Sequence, residues 1–394
     1  MSQMHVVIAG GGVAAVEAAL ALRDLAGDRV SMTLVSPRPD FVLTPMAVGE
    51  PFSAGHAGRR HLEALADEIG IGVVAGAVTR VRRDDHTVEL TDGSELGYDV
   101  LLLAPGARPV AAYGHVHTFA AEDDPTALSG LIADLEEGWS HSVAFVVPPG
   151  VTWPLPAYEL ALLTARDVRA MGLDDVTITL ITPETRPLDV FGTEASDAVA
   201  GILDDMGVAF EGSAQADVRA GGHIELGDGR TVDAQRIVAL AVLDGPRIAG
   251  VPRDENGFIP IDGHARVIGA EDVYAAGDGT TFPVKQGGIA TQQADAAAEA
   301  IAARAGAPVT PQPFRPVLRG QLLTGADSPF LRRDTADRHG ETAEAALWWP
   351  PTKVAGRYLG PWLVEREPRR QGAPAERSID IEVPLEHDVP DAAG

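Results

Sequence analysis

Apolar and polar positions follow each other along the chain with the periods of alternating strands and helices. An apolar run at residues 6–8 leads to Gly10 and Gly12, an alanine-rich stretch with helical periodicity follows, and residues 31–35 form a second apolar run. Residues 4–35 are therefore predicted to form a strand, a helix and a strand. A helix is predicted next at residues 59–70, and short strands at residues 72–75, 78–81, 87–90 and 100–103.

The same pattern begins again near residue 142. Residues 143–147 are predicted to be a strand, residues 155–171 a helix and residues 176–181 a strand. This alternation predicts an α/β protein with two Rossmann-like units. The later predicted elements are strands at residues 209–211, 223–226, 237–240 and 273–276 and a long helix at residues 289–305.

The first strand-to-helix turn has the chemistry of a phosphate site. Gly10 and Gly12 let the main chain approach a pyrophosphate, whose charge then lies at the positive end of the following helix. Ala15 stands at the position of the usual third glycine and is small enough for the helix to pack on the strand. A glycine-rich turn of this kind also occurs without a nucleotide, so the motif alone leaves both interpretations open.

A second segment far along the chain complements this turn. The apolar strand at residues 273–276 ends at Gly277 and Asp278, and a helix begins near Gly287 or Gly288. A carboxylate there accepts a hydrogen bond from a ribityl hydroxyl, and the helix directs its positive end at a flavin. The alternative is an aspartate that caps an ordinary helix. Taken together, the two segments predict one FAD site.

The adenosine end of this site departs from the usual pattern. The second strand normally ends on an acidic residue that binds the ribose hydroxyls, and Ser36 occupies that position here, followed by Arg38. The change weakens the case for NAD at the first unit. FAD is affected less, because Asp278 supplies a second anchor.

Residues 10–17, 101–106 and 273–278 resemble the three sequence marks of flavoproteins with two dinucleotide-binding domains. Within that group the chain resembles the branch of sulfide:quinone reductases and type II NADH dehydrogenases, over about residues 4–365. The resemblance implies two Rossmann-like dinucleotide-binding domains, one for FAD and one NAD(P)-like. It also implies that the backbone of Val78 contacts the adenine. The residues expected to hold FAD are Gly10, Gly12, Ala15, Ser36, Arg38, Val78, Ala104, Gly106, Gly277, Asp278, Lys285, Gln286, Gly287 and Gly288.

The resemblance also implies the order of the domains. The FAD domain comprises residues 1–109 and 233–305, with the NAD(P)-like domain at residues 110–232 between them. Residues 306–370 are expected to form a lid or a dimer interface, in preference to a membrane anchor. The acidic residues 371–394 are expected to form a loose tail.

The second unit lacks a normal glycine loop. Pro148, Pro149, Pro154 and Pro156 lie where Gly-x-Gly-x-x-Gly is expected, and prolines remove backbone donors that a pyrophosphate needs. NAD(P)H binding therefore stays an open question. Glu159 aligns with a glutamate of type II NADH dehydrogenases, which implies proton relay to a quinone or to the flavin; the alternative is an ordinary helix-face glutamate.

Composition narrows the chemistry. The chain has 394 residues and no cysteine, so thiolate attack, the basis of disulfide and sulfide chemistry, is excluded. Among 31 basic residues only Lys285 and Lys353 are lysines. An ammonium near the flavin stabilises its reduced, negatively charged form, so both lysines join Glu159 as candidate catalytic residues; chance retention is the alternative.

Charge and patterning limit the partners. The net charge of -26 argues against nucleic acid and against an anionic membrane surface. No apolar stretch reaches the length of a membrane span, no leader precedes the first strand, and a cytoplasmic location is expected. The eleven histidines show no metal-ligand spacing, so no metal site is predicted.

These observations predict an FAD-dependent oxidoreductase that transfers two electrons between a small reduced donor and a quinone-like or other small acceptor, without a thiol. An NAD(P)H:acceptor oxidoreductase, with a quinone as one acceptor, is the alternative among enzymes. A non-catalytic accessory protein that retains the fold is the alternative from another class. A homodimer is an open expectation.

Overall fold

Two five-stranded parallel sheets, each flanked by helices, organise the chain. The computed structural model describes residues 3–120, 126–324, 330–333, 340–343, 353–366 and 379–384. All neighbouring strands in both large sheets run parallel, and helices connect them. The α/β class and the Rossmann-like units predicted from the sequence are thus confirmed.

The strands in chain order are β1 (Met4–Ala9), β2 (Val30–Ser36), β3 (Asp40–Val42), β4 (Arg59–His61), β5 (Gly72–Ala75), β6 (Val78–Arg82), β7 (Thr87–Leu90), β8 (Glu95–Gly97), β9 (Val100–Leu103), β10 (Arg108–Val110), β11 (His117–Phe119), β12 (Ser142–Val146), β13 (Thr177–Ile181), β14 (Val208–Glu211), β15 (Ala216–Arg219), β16 (His223–Leu226), β17 (Thr231–Asp233), β18 (Arg236–Leu240), β19 (Val242–Asp244), β20 (Val273–Ala275), β21 (Val317–Leu322), β22 (Phe330–Arg333), β23 (Gly340–Ala343) and β24 (Ile379–Pro384).

The helices in chain order are α1 (Val13–Ala26), α2 (Leu62–Ile69), α3 (Thr126–Glu136), α4 (Leu155–Ala170), α5 (Thr193–Asp205), α6 (Gly287–Arg304) and α7 (Leu359–Arg366). Three short 3-10 helices lie at Gly27–Arg29, Thr44–Phe52 and Asp189–Phe191. Within the described residues, none of these helices combines the length and the hydrophobicity that a bilayer crossing requires.

The first sheet places three distant segments side by side. Its strand order is β20-β9-β1-β2-β5, so β9 lies between β1 and β20. Each residue of β9 and β20 is buried, as expected for central strands of a parallel sheet covered on both faces. Since parallel strands end at the same edge, the turns after β1, β9 and β20 meet there. Helices α1 and α6 pack against each other over this sheet.

The second sheet has the order β11-β18-β12-β13-β14. Its core includes the fully buried Phe145 of β12 and Leu160 and Leu163 of α4. The strand β18 pairs with β11 and β12, so this sheet extends past residue 232, the boundary expected from the sequence.

The C-terminal part returns to the body of the protein. Strand β24 pairs antiparallel with β21 along its whole length, so the expected loose tail from residue 371 is wrong for residues 379–384. Backbone hydrogen bonds of this ladder offset the entropy that disfavours an ordered polar tail. Residues 353–366 pack against α1 and α6. Trp348 and Trp349, which the sequence assigned to a lid or interface, lie outside the described residues.

Candidate functional site

A cavity of about 640 Å³ lies where the turns after β1, β9 and β20 converge. Glu159, Lys285 and Lys353 all lie on its wall, although they come from three separate parts of the chain. Ala15 and Gly288 lie behind the wall, where both are buried in helix packing. The other residues expected to hold FAD all line the cavity: Gly10, Gly12, Ser36, Arg38, Val78, Ala104, Gly106, Gly277, Asp278, Lys285, Gln286 and Gly287.

The first glycine turn has two different requirements. Gly10 has φ +144°, and a Cβ there would lie 2.0 Å from the carbonyl oxygen of Ala104, so only glycine allows this approach. Gly12 has an extended backbone, and a Cβ there would meet nothing within 4 Å. No side chain caps the N-terminus of α1 at Gly12. The open space and the uncapped N–H groups of α1 fit a pyrophosphate.

The turn after β2 lies at the expected adenosine end of the cavity. The Ser36 hydroxyl donates to the carbonyl oxygen of Arg38 over 2.9 Å and accepts from the Arg38 N–H over 3.2 Å. Gly11 makes room for this side chain, since a Cβ there would lie 2.6 Å from Ser36 Oγ. Ser36 therefore shapes the turn that follows β2. Its contact with a ribose stays a prediction.

Helix α6 presents its N-terminus to the same cavity. Gln286 caps the helix: its side chain accepts a hydrogen bond from the Ile289 N–H over 2.9 Å and donates one to the Arg319 carbonyl over 2.8 Å. Burial raises the pKa of Asp278 to about 6, and the charge of Lys285 opposes that rise. A partly buried carboxyl at this wall fits the ribityl chain of a flavin.

Two contacts fix the ammonium of Lys285 at the cavity wall. Its ammonium donates to the carbonyl oxygen of Thr280 and lies 4.0 Å from the centre of the Phe258 ring. Burial lowers the pKa of Lys285 to about 8, while the charges of Asp278 and Asp254 raise it. These contacts favour a fixed positive charge at the cavity wall.

The raised pKa of Asp278 predicts a pH effect on stability. Its folded pKa of about 6 exceeds its ordinary value of 3.8, so the proton stabilises the folded apoprotein, and this stabilisation is lost as pH rises through 6. Asp278→Asn should therefore gain stability over the wild type between about pH 4 and pH 6, by up to about 3 kcal/mol. Urea unfolding of both apoproteins across this range measures it. Asp67→Asn, an exposed change on α2, is the control; equal pH slopes for Asp278→Asn and the wild type would contradict the assignment.

A buried ion pair forms another part of the cavity wall. Lys353 Nζ lies 2.7 Å from both carboxylate oxygens of Glu159, and Glu159 Oε1 also accepts the Leu323 N–H over 2.8 Å. The exposed fractions of the two side chains are only 5% and 1%. Glu159 is thus buried and paired, and its part in proton relay stays a prediction. The pair joins α4 to the segment just before α7.

Burial shifts both members of this pair toward their neutral forms. It raises the pKa of Glu159 and lowers the pKa of Lys353, while the charge of each partner opposes the shift. The affinities of the two groups for a proton therefore approach each other. Such a pair is suited to holding or releasing a proton at the cavity wall.

The structure also shows an acidic group that the sequence interpretation missed. Glu184 follows β13, where a Rossmann unit carries the carboxylate that binds a ribose. It accepts hydrogen bonds from the Tyr158 hydroxyl over 2.6 Å and from the Thr182 hydroxyl over 3.1 Å. Burial raises the pKa of Glu184 to about 7. The position of Glu184 shortly after the predicted strand at residues 176–181 is the signal that could have identified it from the sequence.

Two Rossmann-like sheets and a cavity at the glycine-rich edge of the first define a dinucleotide-binding protein. The chain belongs to the pyridine nucleotide-disulphide oxidoreductase family, whose model matches residues 4–301. It is an FAD-dependent oxidoreductase. This family membership favours an enzyme over the non-catalytic alternative. The flavoprotein group identified from the sequence is confirmed.

Two characterised relatives illustrate the range of the family. The ferredoxin reductase component of chlorobenzene dioxygenase from Cupriavidus sp. (strain PS12) is 27% identical over 375 residues, covering 84% of this chain and 87% of that protein. The sulfide-quinone reductase of Aquifex aeolicus is 29% identical over 214 residues, covering 51% of this chain and 48% of that protein.

Solved structures share the fold. The sulfide:quinone oxidoreductase of Aquifex aeolicus superposes with a TM-score of 0.73 at 21% identity, covering 83% of each chain. Putidaredoxin reductase, in its covalent complex with putidaredoxin, superposes with a TM-score of 0.61 at 20% identity, covering 85% of each chain. Ferredoxin reductases were not among the similar proteins expected from the sequence.

Proposed function

We propose that this protein transfers two electrons between a small reduced donor and a quinone-like or other small acceptor, at the FAD cavity and without a thiol. The observation that carries the proposal is the buried Glu159–Lys353 pair on the cavity wall of a chain with no cysteine. The family is named for disulphide chemistry, which needs a thiolate. Here the only lysines of the chain lie on the wall instead.

Each part of the cavity has a distinct task in this proposal. The turn at Gly10 and Gly12 and the N-terminus of α1 would hold the pyrophosphate, Asp278 would hold the ribityl chain, and the N-terminus of α6 would stabilise negative charge on the flavin. Bound FAD supplies the electron transfer. Trp153, Leu155 and Pro156 add an apolar wall that excludes water.

The ion pair manages charge and protons. The Lys353 ammonium offsets negative charge that develops in the cavity, and it costs no reorganisation because Glu159, which also accepts the Leu323 N–H, already fixes it. When a proton leaves Lys353 for a bound acceptor, Glu159 remains beside it, and the buried carboxylate favours recapture of a proton. Lys285 contributes a second, fixed positive charge.

Reoxidation by a quinone tests this function. The FAD-loaded protein, reduced without oxygen, is mixed with a water-soluble short-chain quinone, and the return of flavin absorbance is followed. We expect the protein-bound flavin to reoxidise at least about 100-fold faster than the same flavin in the Lys353→Met/Glu159→Leu variant, because positioned proton transfer contributes that much. Equal rates in the two proteins would contradict the proposal.

An NAD(P)H:acceptor oxidoreductase is the second candidate, favoured by Glu184. Its position after β13 is that of a ribose-binding carboxylate. The similarity to a ferredoxin reductase component and to rhodocoxin reductase of Rhodococcus erythropolis supports this candidate. The proline-containing turn before α4 opposes it, since it offers few backbone donors.

Anaerobic mixing with NADH or NADPH separates the two candidates. Rapid bleaching of the flavin band, slowed in Glu184→Gln, would establish a nicotinamide donor. No bleaching with either nucleotide would remove this candidate and leave the small-donor function. Glu194→Gln, a change on the neighbouring helix α5 that keeps Glu184 intact, is the control.

A further inference from the structure

We propose that Glu17 is a positioning residue that holds residues 353–359, here called the strap, so that Lys353 reaches Glu159. This inference rests on the proposed function of the Glu159–Lys353 pair. Glu17 lies in α1, the helix whose N-terminus faces the cavity, and its side chain is fully buried. It contributes nothing to the cavity wall itself, so the sequence motif at residues 10–17 does not explain it.

Glu17 grips the strap through its backbone. One carboxylate oxygen accepts the Tyr358 N–H over 2.9 Å and the other accepts the Leu359 N–H over 2.6 Å. These donors begin α7, so Glu17 takes the place of a local helix cap. A Ser or Asp within the strap would cap α7 equally well but would leave the strap untied. The carboxylate of Glu17, which belongs to α1, instead connects the strap to the FAD domain.

Close approach at this point depends on a glycine. A Cβ on Gly356 would lie 2.7 Å from Glu17 Oε2, so any other residue forces the Glu17 carboxylate or the strap to shift. Two further contacts hold the strap on α6. Thr291 Oγ1 lies 3.2 Å from the Ala355 carbonyl oxygen, to which it donates, and Val354 packs against Gly287. The strap therefore contacts both α1 and α6, and Lys353 at its first position lies on the cavity wall.

A second carboxyl group, that of Asp295, lies close to Glu17. Burial together with the charge of Glu17 raises the pKa of the Asp295 carboxyl on α6 to about 9, and burial raises the pKa of Glu17 as well. The two carboxyl groups therefore favour holding one proton between them at neutral pH. One negative charge remains, at the positive end of α7, where it is stabilising.

Hydrogen exchange tests the grip directly, in the protein with or without FAD. In Glu17→Gln one of the two backbone amides loses its acceptor, because the Gln amide nitrogen cannot accept. We expect the amide that loses its acceptor, that of Tyr358 or of Leu359, to exchange at least about tenfold faster. Asp24→Asn, the same chemical change at an exposed site of α1, should leave both amides unchanged. Unchanged exchange in Glu17→Gln would overturn the proposal.

A double-mutant cycle with Lys353→Met tests positioning as opposed to general stability. If Glu17 acts through Lys353, Glu17→Gln slows quinone reoxidation in the wild type and has no further effect in Lys353→Met. Equal slowing in both backgrounds would overturn the positioning role. Gly356→Ala, whose Cβ would collide with Glu17 Oε2 and disturb the same contact, should reproduce the effects of Glu17→Gln.

The cycle also separates this inference from the function on which it rests. If Lys353→Met leaves reoxidation at the wild-type rate, the proposed function fails and the positioning role fails with it, whatever the exchange rates. If Lys353→Met slows reoxidation and Glu17→Gln does not, only the positioning role fails.

Discussion

Replacing Gly12 by valine is expected to abolish FAD binding while the protein still folds. The backbone of Gly12 is extended, and a Cβ there meets nothing within 4 Å, so the side chain enters the cavity without strain. It then occupies the space at the N-terminus of α1 that a pyrophosphate needs. We expect affinity for FAD to fall by at least about 100-fold, because contacts of the phosphates with the helix N-terminus are lost.

Flavin absorbance per chain after incubation with FAD, together with thermal unfolding of the apoprotein, measures this prediction. Gly114→Val is the matched control, since Gly114 is also open to a Cβ but lies outside the cavity. Gly10→Ala provides the contrast: it should destabilise the apoprotein itself, because its Cβ collides with Ala104. Full flavin content in Gly12→Val would show that the pyrophosphate binds elsewhere.

Removal of Lys353 is expected to have the second large effect, on both stability and electron transfer. In Lys353→Met the carboxylate of Glu159 stays buried without its partner, which should cost about 3 kcal/mol of unfolding free energy. Quinone reoxidation should slow by about 100-fold, because the positioned proton and charge are gone.

The double variant Lys353→Met/Glu159→Leu separates these two effects. Apolar side chains of similar volume replace the pair, so stability should return to about the wild-type value. The rate should stay low. Urea unfolding and anaerobic stopped-flow reoxidation measure the two quantities on the same preparations. A double variant that regains both stability and rate would make the pair purely structural.

Much of the first domain follows from the sequence because its signals are local. The strands β1, β9 and β20 are each an apolar run that is followed by a glycine-containing turn. Parallel pairing then requires that their carboxyl ends meet, so the convergence of Gly10, Ala104 and Gly277 is implied once the sheet is recognised. The cavity in the structure lies at this edge.

The remaining features depend on contacts between distant parts of the chain. Glu159 and Lys353 are 194 residues apart, and Glu17 and Leu359 are 342 residues apart, so no local pattern pairs them. The sequence identified both members of the first pair separately, from the helix position of Glu159 and the rarity of lysine. It had no signal for their contact, which requires the strap to cross α1 and α6.

One other expectation shows how tertiary contacts override composition. Residues 379–384 belong to an acidic, proline-containing stretch, yet they form β24 because β21 offers an open edge to pair with. Local composition does not show how a backbone edge of this kind is satisfied.

Anaerobic reductive titration of the FAD-loaded protein tests the central claim most directly. A flavin centre without a partner disulfide should take up about two electrons per chain, with full bleaching of the flavin band at that point. Retention of no flavin after incubation with FAD, or uptake of about four electrons before the titration ends, would contradict a thiol-independent flavin enzyme.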